Sequence, residues 1–382
     1  MQPKKQRIEV EDGIVELDAQ EVISYYFGKS QTPVHPEFTH QNFGIEGKIL
    51  CPKELLPLKI NVHVDTYGDL ACTVDLTHGG SQSGPLAENF RSEILAKMAK
   101  PCDLSDGCLP AEYPGNFGPM TETETCEPAA QVALADGFRV AHYKSNQFSG
   151  KSFNTWRRAE WLMLWFIESV SRSQHETDHN WEYYFLRSPE NELVAYCSVY
   201  KFPSFAFLSK GFIGDRIRLS QFLTLPSGWR NGFGSVLLRH LVDEIRERSD
   251  VDKLTMEDPS FGMNSARETV YLKIAKENEL LNAETTLEDL EETLKIPRIF
   301  AKRIKILLEL GKFMSDRNPS SLIDEALASD NKFVRKFIDS IEFYDDSDET
   351  EEEQKPIDKE ATESLTRDRL SQAFTKLQRV GA

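Results

Sequence analysis

Two adjacent carboxylates, Glu257 and Asp258, follow a short alternating segment that runs from Val251 to Met256. Alternation of apolar and polar residues predicts a β-strand, and a glutamate at its end can act as a general base. Neighbouring side chains on an extended strand point to opposite faces, so at most one of the two carboxylates faces a substrate. Asp258 precedes Pro259, a pair that predicts a helix start with Asp258 as the N-cap and Pro259 as the first helical residue. This pattern favours a structural role for Asp258. The alternative for Glu257 is an ordinary solvated strand end.

A third carboxylate, Glu168, directly follows the segment from Trp161 to Ile167. That segment is apolar nearly all round, which predicts that it is buried. Burial would raise the pKa of a carboxyl group and suit it to accept a proton near neutrality. The alternative is a charge at a helix end, where the chain reaches the surface at Ser169.

A loop that contains several glycines precedes Glu257 and Asp258 in the chain. The alternating run 217–225 predicts a strand, Pro226–Gly228 ends it, and Gly232 and Gly234 open a helix from Ser235. The apolar positions of that helix lie on one face: Leu237, Leu238, Leu241, Val242 and Ile245. Glycines let backbone N–H groups approach an anion, and the helix dipole adds attraction for a pyrophosphate. An ordinary tight strand-to-helix turn is the alternative. GxGxxG and GxxxxGK[ST] motifs are absent, which disfavours nicotinamide cofactors and P-loop chemistry.

This order of elements resembles the acetyl-CoA site of the GNAT acetyltransferases. Other segments, in the same order along the chain, resemble the type B histone acetyltransferase catalytic subunits within that superfamily: Glu37–Gly44, Leu164–Glu168, Met256–Ser260, Leu294–Pro297 and Ala301–Ile304. The usual loop of the superfamily places Arg or Gln three residues before the first glycine. Here that position is Trp229, and Arg230 comes one residue later.

The resemblance implies a set of site residues. Those expected to hold acetyl-CoA are Phe222, Leu223, Thr224, Trp229, Arg230, Asn231, Gly232, Phe233, Gly234, Ser235 and Ser260. Glu257 would be the general base, with Glu168 and Asp258 in support, and no acetyl-enzyme or metal is expected. Glu46 and Tyr200 are the substrate-binding candidates, although exposed glutamates are common and a strand tyrosine more often packs than recognises a ligand.

By the same resemblance, the chain would transfer acetyl groups to N-terminal-tail lysines of newly synthesised histone H4, presented with histone H3. A WD-repeat β-propeller histone chaperone would be its partner, and it would act in the nucleus and the cytoplasm. Two alternatives stay open. One is a GNAT enzyme that acetylates another protein lysine or a small amine. The other is a histone-binding module whose cofactor site has decayed, as Trp229 suggests.

Composition agrees with an enzyme that acts on a basic partner. The 382 residues carry 62 acidic against 45 basic side chains, a net charge of −17. Such a balance argues against direct binding of nucleic acid. The six cysteines lack the spacing of a zinc site, which favours reduced thiols inside the cell. No apolar run is long enough to span a bilayer, and residues 1–7 lack the apolar core of a secretory signal.

We therefore predict an α+β protein with a GNAT core built on a mixed β-sheet. The predicted limits are a flexible N-terminus at 1–12, a small α+β domain at 13–115, the GNAT core at 116–275, a helical C-terminal domain at 276–344, and a tail at 345–382. Residues 345–353 contain seven acidic side chains, which predicts disorder. Beyond them, an amphipathic helix is predicted from its apolar positions: Leu365, Leu370, Phe374, Leu377 and Val380.

Overall fold

A computed structural model describes residues 8–11, 13–43, 46–67, 70, 72–79, 84–99, 130–145, 150–168, 170, 178–280, 285–314 and 359–380. The chain divides into two compact units. The first unit holds Met1–Tyr200 and Ser220–Leu237, and the second holds Lys201–Leu219 and Leu238–Ala382. Strands at 193–204 and 214–224 therefore each run through a boundary between the units. The domain limits inferred from the sequence stay a prediction.

Two small sheets form the N-terminal part of the first unit. Their strands are β1 Ile8–Glu11, β2 Ile14–Asp18, β3 Ile23–Phe27, β4 Lys48–Pro52, β5 Lys59–Val64 and β6 Cys72–Thr77. The order β1-β2-β4 is antiparallel throughout. The order β3-β5-β6 is mixed, because β3 pairs in parallel with β5 and β5 pairs antiparallel with β6. Three helices accompany them: α1 Ala19–Val22, α2 His40–Phe43 and α3 Pro85–Ala99.

The later strands of the first unit form an antiparallel series. They are β7 Ala130–Ala133, β8 Arg139–Lys144, β9 Trp181–Arg187 and β10 Leu193–Ser204, each paired with the next along the chain. Helix α4, Gly150–Phe166, packs on them through Trp156, whose ring centroid lies 4.2 Å from that of Tyr183. The Tyr196 hydroxyl donates to the Ala159 carbonyl at 2.8 Å. These large buried aromatic side chains fix α4 in place because they bury much apolar area.

Strand β11, Gly214–Thr224, passes from the second unit into the first. Within the second unit its first half pairs in parallel with β12, Val251–Met256. Helix α5, Phe233–Glu247, connects the two strands, and its predicted apolar positions are all buried: Leu237, Leu238, Leu241, Val242 and Ile245. The predicted strand-loop-helix-strand order is thus confirmed, with the helix starting two residues before Ser235.

The rest of the second unit is helical. Its helices are α6 Phe261–Glu277, α7 Leu287–Leu294, α8 Arg298–Met314 and α9 Lys359–Val380. Glu268 of α6 is nearly buried and makes ion pairs with Arg303 at 2.8 Å and with Lys376 of α9. A carboxylate buried to this degree requires such partners. The predicted C-terminal amphipathic helix is confirmed, because Leu370, Leu377 and Val380 are buried.

The C-terminal helical region packs through an apolar face, and parts of both chain ends lie outside the described residues. The buried apolar face of the C-terminal helical region includes Ile304, Leu307, Leu308 and Leu310. Within the predicted flexible N-terminus, 1–12, residues 8–11 form strand β1, which pairs with β2. Residues 1–7 and the acidic segment 345–353 lie outside the described ranges. None of the described helices is long and apolar enough to cross a membrane.

Candidate functional site

The predicted phosphate loop lies in the first unit, between the end of β11 and the start of α5. The chain leaves β11 at Thr224, turns once through Pro226–Gly228, and enters α5 at Phe233. Trp229 closes this loop, because its indole N–H donates to the Thr224 carbonyl at 2.8 Å. The Trp229 ring also contacts Phe166 of α4, with ring centroids 6.1 Å apart. Trp229 therefore holds the loop against the strand end and the helix end.

The loop backbone adopts left-handed conformations at two residues. Arg230 has φ +65°, and Gly232 has φ +83°. Gly234 allows a close approach, since a Cβ there would lie 2.8 Å from Thr224 Oγ1 and 3.4 Å from the Phe222 ring. Of the predicted cofactor-binding residues, the fold thus brings Phe222, Thr224 and Gly234 together around the loop.

The first turn of α5 provides the polar atoms that suit a pyrophosphate. The first N–H groups of a helix have no acceptor within the helix, and they carry the positive end of its dipole. In α5 these groups belong to Phe233, Gly234 and Ser235, of which Gly234 and Ser235 are half-buried rather than enclosed. Arg230 and Asn231 are exposed beside them. The donor set of backbone amides and one guanidinium therefore fits the phosphates of acetyl-CoA.

The end of α4 connects this loop with another segment on which the family resemblance depends. The backbone N–H groups of Glu37 and Phe38 donate to the Trp165 carbonyl at 2.9 and 3.1 Å. They satisfy a carbonyl in the last turn of α4, where helices leave acceptors without intrahelical partners. The fold thus joins residues 37 and 38 to the last turn of α4.

Glu168 departs from its prediction. The helix α4 ends at Phe166, and Glu168 lies exposed in the following turn. The expected burial is therefore wrong, and with it the reason for expecting a proton acceptor there. The apolar run misled because it belongs to the last turns of α4, and the chain reaches the surface two residues after the helix ends.

The two substrate-binding candidates also lie in the first unit. Glu46 is exposed in the turn before β4. Tyr200 is half-buried, and its hydroxyl donates to Asp178 Oδ2 at 2.6 Å. This hydrogen bond raises the pKa of the Tyr200 phenol and lowers the pKa of the Asp178 carboxyl. Trp181 lies against Tyr200, with ring centroids 5.0 Å apart. Sequence reasoning missed Asp178, which lies three positions before the first residue of β9.

The predicted general base, Glu257, lies in the second unit. Strand β12 ends at Met256, so Glu257 stands just beyond it. Its backbone N–H donates to the Leu219 carbonyl at 3.0 Å, and its Oε1 lies 3.6 Å from Nη1 of Arg218. The Glu257 side chain is 41% exposed. A solvent-reachable carboxylate with a fixed backbone can exchange protons with a bound substrate.

Asp258 and Ser260 differ from their predicted arrangement. The helix N-cap is Ser260, whose Oγ accepts from the Met263 N–H at 3.3 Å, and α6 begins at Phe261. The prediction that Asp258 caps the helix is therefore wrong. Asp258 instead has φ +31°, a left-handed conformation that aspartate adopts more readily than most residues. The two carboxylates consequently do not alternate across an extended strand. Contact of Ser260 with the cofactor stays a prediction.

Metal chemistry finds no support among the described residues. No group of three or more histidine, cysteine, aspartate or glutamate side chains there could hold a metal ion. Cys51, Cys72 and Cys197 are buried. The other three cysteines lie outside the described ranges.

Comparisons with known proteins find a matching family model and several curated relatives. Residues 151–264 match the family model of the GNAT acetyltransferases. The type B histone acetyltransferase catalytic subunit of Mycosarcoma maydis is 37% identical over 274 residues, which cover 63% of this chain and 59% of the relative. The same subunit of Pyricularia oryzae is 26% identical over 288 residues, which cover 64% and 58%. The chain thus spans less than two thirds of the length of these curated relatives.

Solved structures resemble the chain only remotely. A crystal structure of an aminoglycoside acetyltransferase from an uncultured soil metagenomic sample is 10% identical, with a TM-score of 0.26. It covers 34% of this chain and 86% of its own. A TM-score this low supports no conclusion on its own. The α+β fold class predicted from the sequence is confirmed by the strands and helices, and residues 151–264 match the predicted GNAT family.

Proposed function

Because residues 151–264 form a GNAT acetyltransferase domain in a homologue of type B histone acetyltransferase catalytic subunits, we propose that this protein is an acetyl-CoA-dependent histone acetyltransferase. Its substrates would be N-terminal-tail lysines of newly synthesised histone H4. The observation that carries the proposal is the loop before α5, where the left-handed Gly232 and the closely packed Gly234 present the first helical amides. Acetyl-CoA is the donor used by the GNAT family.

The residues that would hold acetyl-CoA are those of the loop and the strand before it. The amides of Phe233, Gly234 and Ser235 would bind the pyrophosphate, with Arg230 and Asn231 at its edge. Phe222 to Thr224 would lie along the pantetheine arm, and the backbone near Leu223 would donate to the thioester carbonyl. Trp229 would act indirectly, because it holds the loop through Thr224.

The reaction needs a base because the attacking amine is almost entirely protonated. A lysine side chain has a reference pKa of about 10.4, so roughly one in two thousand is a free amine at neutral pH. Glu257 would take the proton from the lysine ammonium. The amine nitrogen would then attack the thioester carbon and form the amide bond. The carbon–sulfur bond breaks, and coenzyme A leaves as the thiol with the second amine proton.

The proposed substrate and partners rest on the net charge of the chain and on the names of its curated relatives. A net charge of −17 favours a basic substrate such as a histone tail over a nucleic acid. The curated relatives are named as catalytic subunits, which supports assembly with another subunit. We propose histone H4 together with histone H3 as substrate, a WD-repeat β-propeller chaperone as partner, and action in both nucleus and cytoplasm.

Glu257→Gln is the decisive variant. Transfer of labelled acetyl from acetyl-CoA to a histone H4 tail peptide should fall about 10²-fold or more, because amide replaces carboxylate at the base. Calorimetric affinity for acetyl-CoA should stay unchanged. Glu292→Gln makes the same charge change at an exposed residue of α7 and should behave like the wild type.

Three results would count against the proposal in different ways. A wild-type chain that binds the peptide but transfers no acetyl would favour a histone-binding module instead. Transfer to spermidine or to unrelated lysine peptides in preference to the H4 peptide would favour another GNAT substrate. Full activity of Glu257→Gln would remove Glu257 as the base and leave the acetyltransferase assignment standing.

A further inference from the structure

Arg218 lies beside the proposed base in the second unit, on the solvent-facing side of β11. Ile217 and Leu219 on either side of it are buried, so Arg218 and Arg216 project from the opposite face. The nearest guanidinium nitrogen, Nη1, is 3.6 Å from Oε1 of Glu257. Both side chains are about two fifths exposed, at 40% and 41%. An ion pair this exposed contributes little to folding stability.

A second contact fixes the guanidinium itself. Its central carbon lies 4.5 Å from the centroid of the Phe202 ring, within the range of a cation–π interaction. Arginine stays charged at every physiological pH, so this arrangement persists wherever the enzyme works. The Arg218 guanidinium therefore contacts the Phe202 ring and also lies beside the Glu257 carboxylate.

The backbone alone does not set the direction of that carboxylate. Glu257 is anchored by its N–H to the Leu219 carbonyl, but it stands beyond the end of β12 and has a long, half-exposed side chain. Such a side chain has several accessible rotamers. A general base must be held within hydrogen-bond reach of the proton it accepts. The contact with Arg218 is the described side-chain interaction that restricts it.

We propose that Arg218 is a positioning residue for the general base, and that it orients Glu257 through Oε1 so that Oε2 receives the substrate proton. This inference rests on the proposed function, because it needs Glu257 to be the base. Arg218 does not itself take part in proton transfer. Its effect should therefore appear in kcat and vanish when the carboxylate is gone.

The test compares Arg218→Met with a matched control on the same strand. Arg216 is also solvent-facing and ion-paired, with Asp252 at 3.2 Å. Arg218→Met should lower kcat for the H4 peptide about tenfold, because a misplaced base reacts slowly, while KM for acetyl-CoA changes less than about twofold. Arg216→Met should leave kcat within about twofold of the wild type. Arg218→Lys, which keeps the charge without the planar fork, should recover part of the loss.

A double-mutant cycle with Glu257→Gln separates positioning from a general structural effect. In the Glu257→Gln background, Arg218→Met should cause no further loss of residual transfer, because the group it acts through is absent. Losses that multiply, or an Arg218→Met enzyme with wild-type kcat, would overturn the inference. Phe202→Leu supplies a second variant if Arg218→Met fails to fold, and it should give a smaller loss of kcat with the same dependence on Glu257. Wild-type kcat for Phe202→Leu would then count against the inference.

The outcomes also distinguish failure of this inference from failure of the proposed function on which it rests. An inactive wild-type chain would refute the proposed function and the inference together. A Glu257→Gln enzyme as active as the wild type would refute the base and therefore its positioning residue. A large loss in Glu257→Gln beside a normal Arg218→Met would refute the inference alone.

Discussion

The glycine loop of the first unit and the Glu257 cluster of the second unit are built in different ways. The loop is made of backbone. Its amides are set by the start of α5, its left-handed turn by Gly232, and its closure by the Trp229 bond to Thr224. The Glu257 cluster is made of side chains, with one ion pair and one ring contact at Arg218. We therefore expect changes in the loop to weaken acetyl-CoA binding. Changes in the contacts of the Glu257 cluster should instead lower the rate of acetyl transfer.

The largest effect on the loop is expected from Gly232→Val. A Cβ at Gly232 would meet no atom within 4 Å, so the substitution adds backbone strain without a clash. A β-branched residue in a left-handed conformation costs about 1–3 kcal/mol, which should weaken acetyl-CoA binding about tenfold or more as the loop shifts. Calorimetric titration of acetyl-CoA measures this.

Gly232→Asn is the matched control, since asparagine tolerates the left-handed region. It should bind acetyl-CoA within about threefold of the wild type. If Gly232→Val bound acetyl-CoA as tightly as the wild type, the loop backbone would not hold the cofactor. The proposed difference between the loop and the Glu257 cluster would then be wrong.

A smaller effect is expected from Trp229→Phe. This change removes the 2.8 Å hydrogen bond to the Thr224 carbonyl and keeps an aromatic ring near Phe166. A hydrogen bond of this kind contributes about 1 kcal/mol, so the dissociation constant for acetyl-CoA should rise about fivefold, with kcat nearly unchanged. A fall in kcat with normal affinity would assign Trp229 to the chemistry instead of the loop.

The smallest effect is expected from Glu168→Gln. Glu168 is exposed beyond the end of α4, so no buried charge is lost. Initial-rate measurements with the H4 peptide should show kcat within about twofold of the wild type, as is usual for exposed positions. A tenfold loss would show that Glu168 supports the reaction despite its exposure.

The loop was predictable from local sequence, and the surroundings of the carboxylates were not. Pro226–Gly228, Gly232 and Gly234 mark a strand end and a helix start by their own conformational limits. Glu257 was found through its place after a strand. Its partner Arg218 lies 39 positions earlier in the chain, on a strand paired with β12. Periodicity within a segment carries no information about such a contact.

The order of elements around the loop and the apolar face of α5 follow from the sequence alone, because turn residues and helical spacing act over short distances. The sequence also indicated the GNAT family through separated segments. The three-dimensional fold was needed to show that Glu168 is exposed, that Ser260 rather than Asp258 caps α6, that Trp229 holds the loop, and that Arg218 contacts both Phe202 and Glu257. Burial and side-chain partners depend on which distant segments pack together, and no local pattern specifies that.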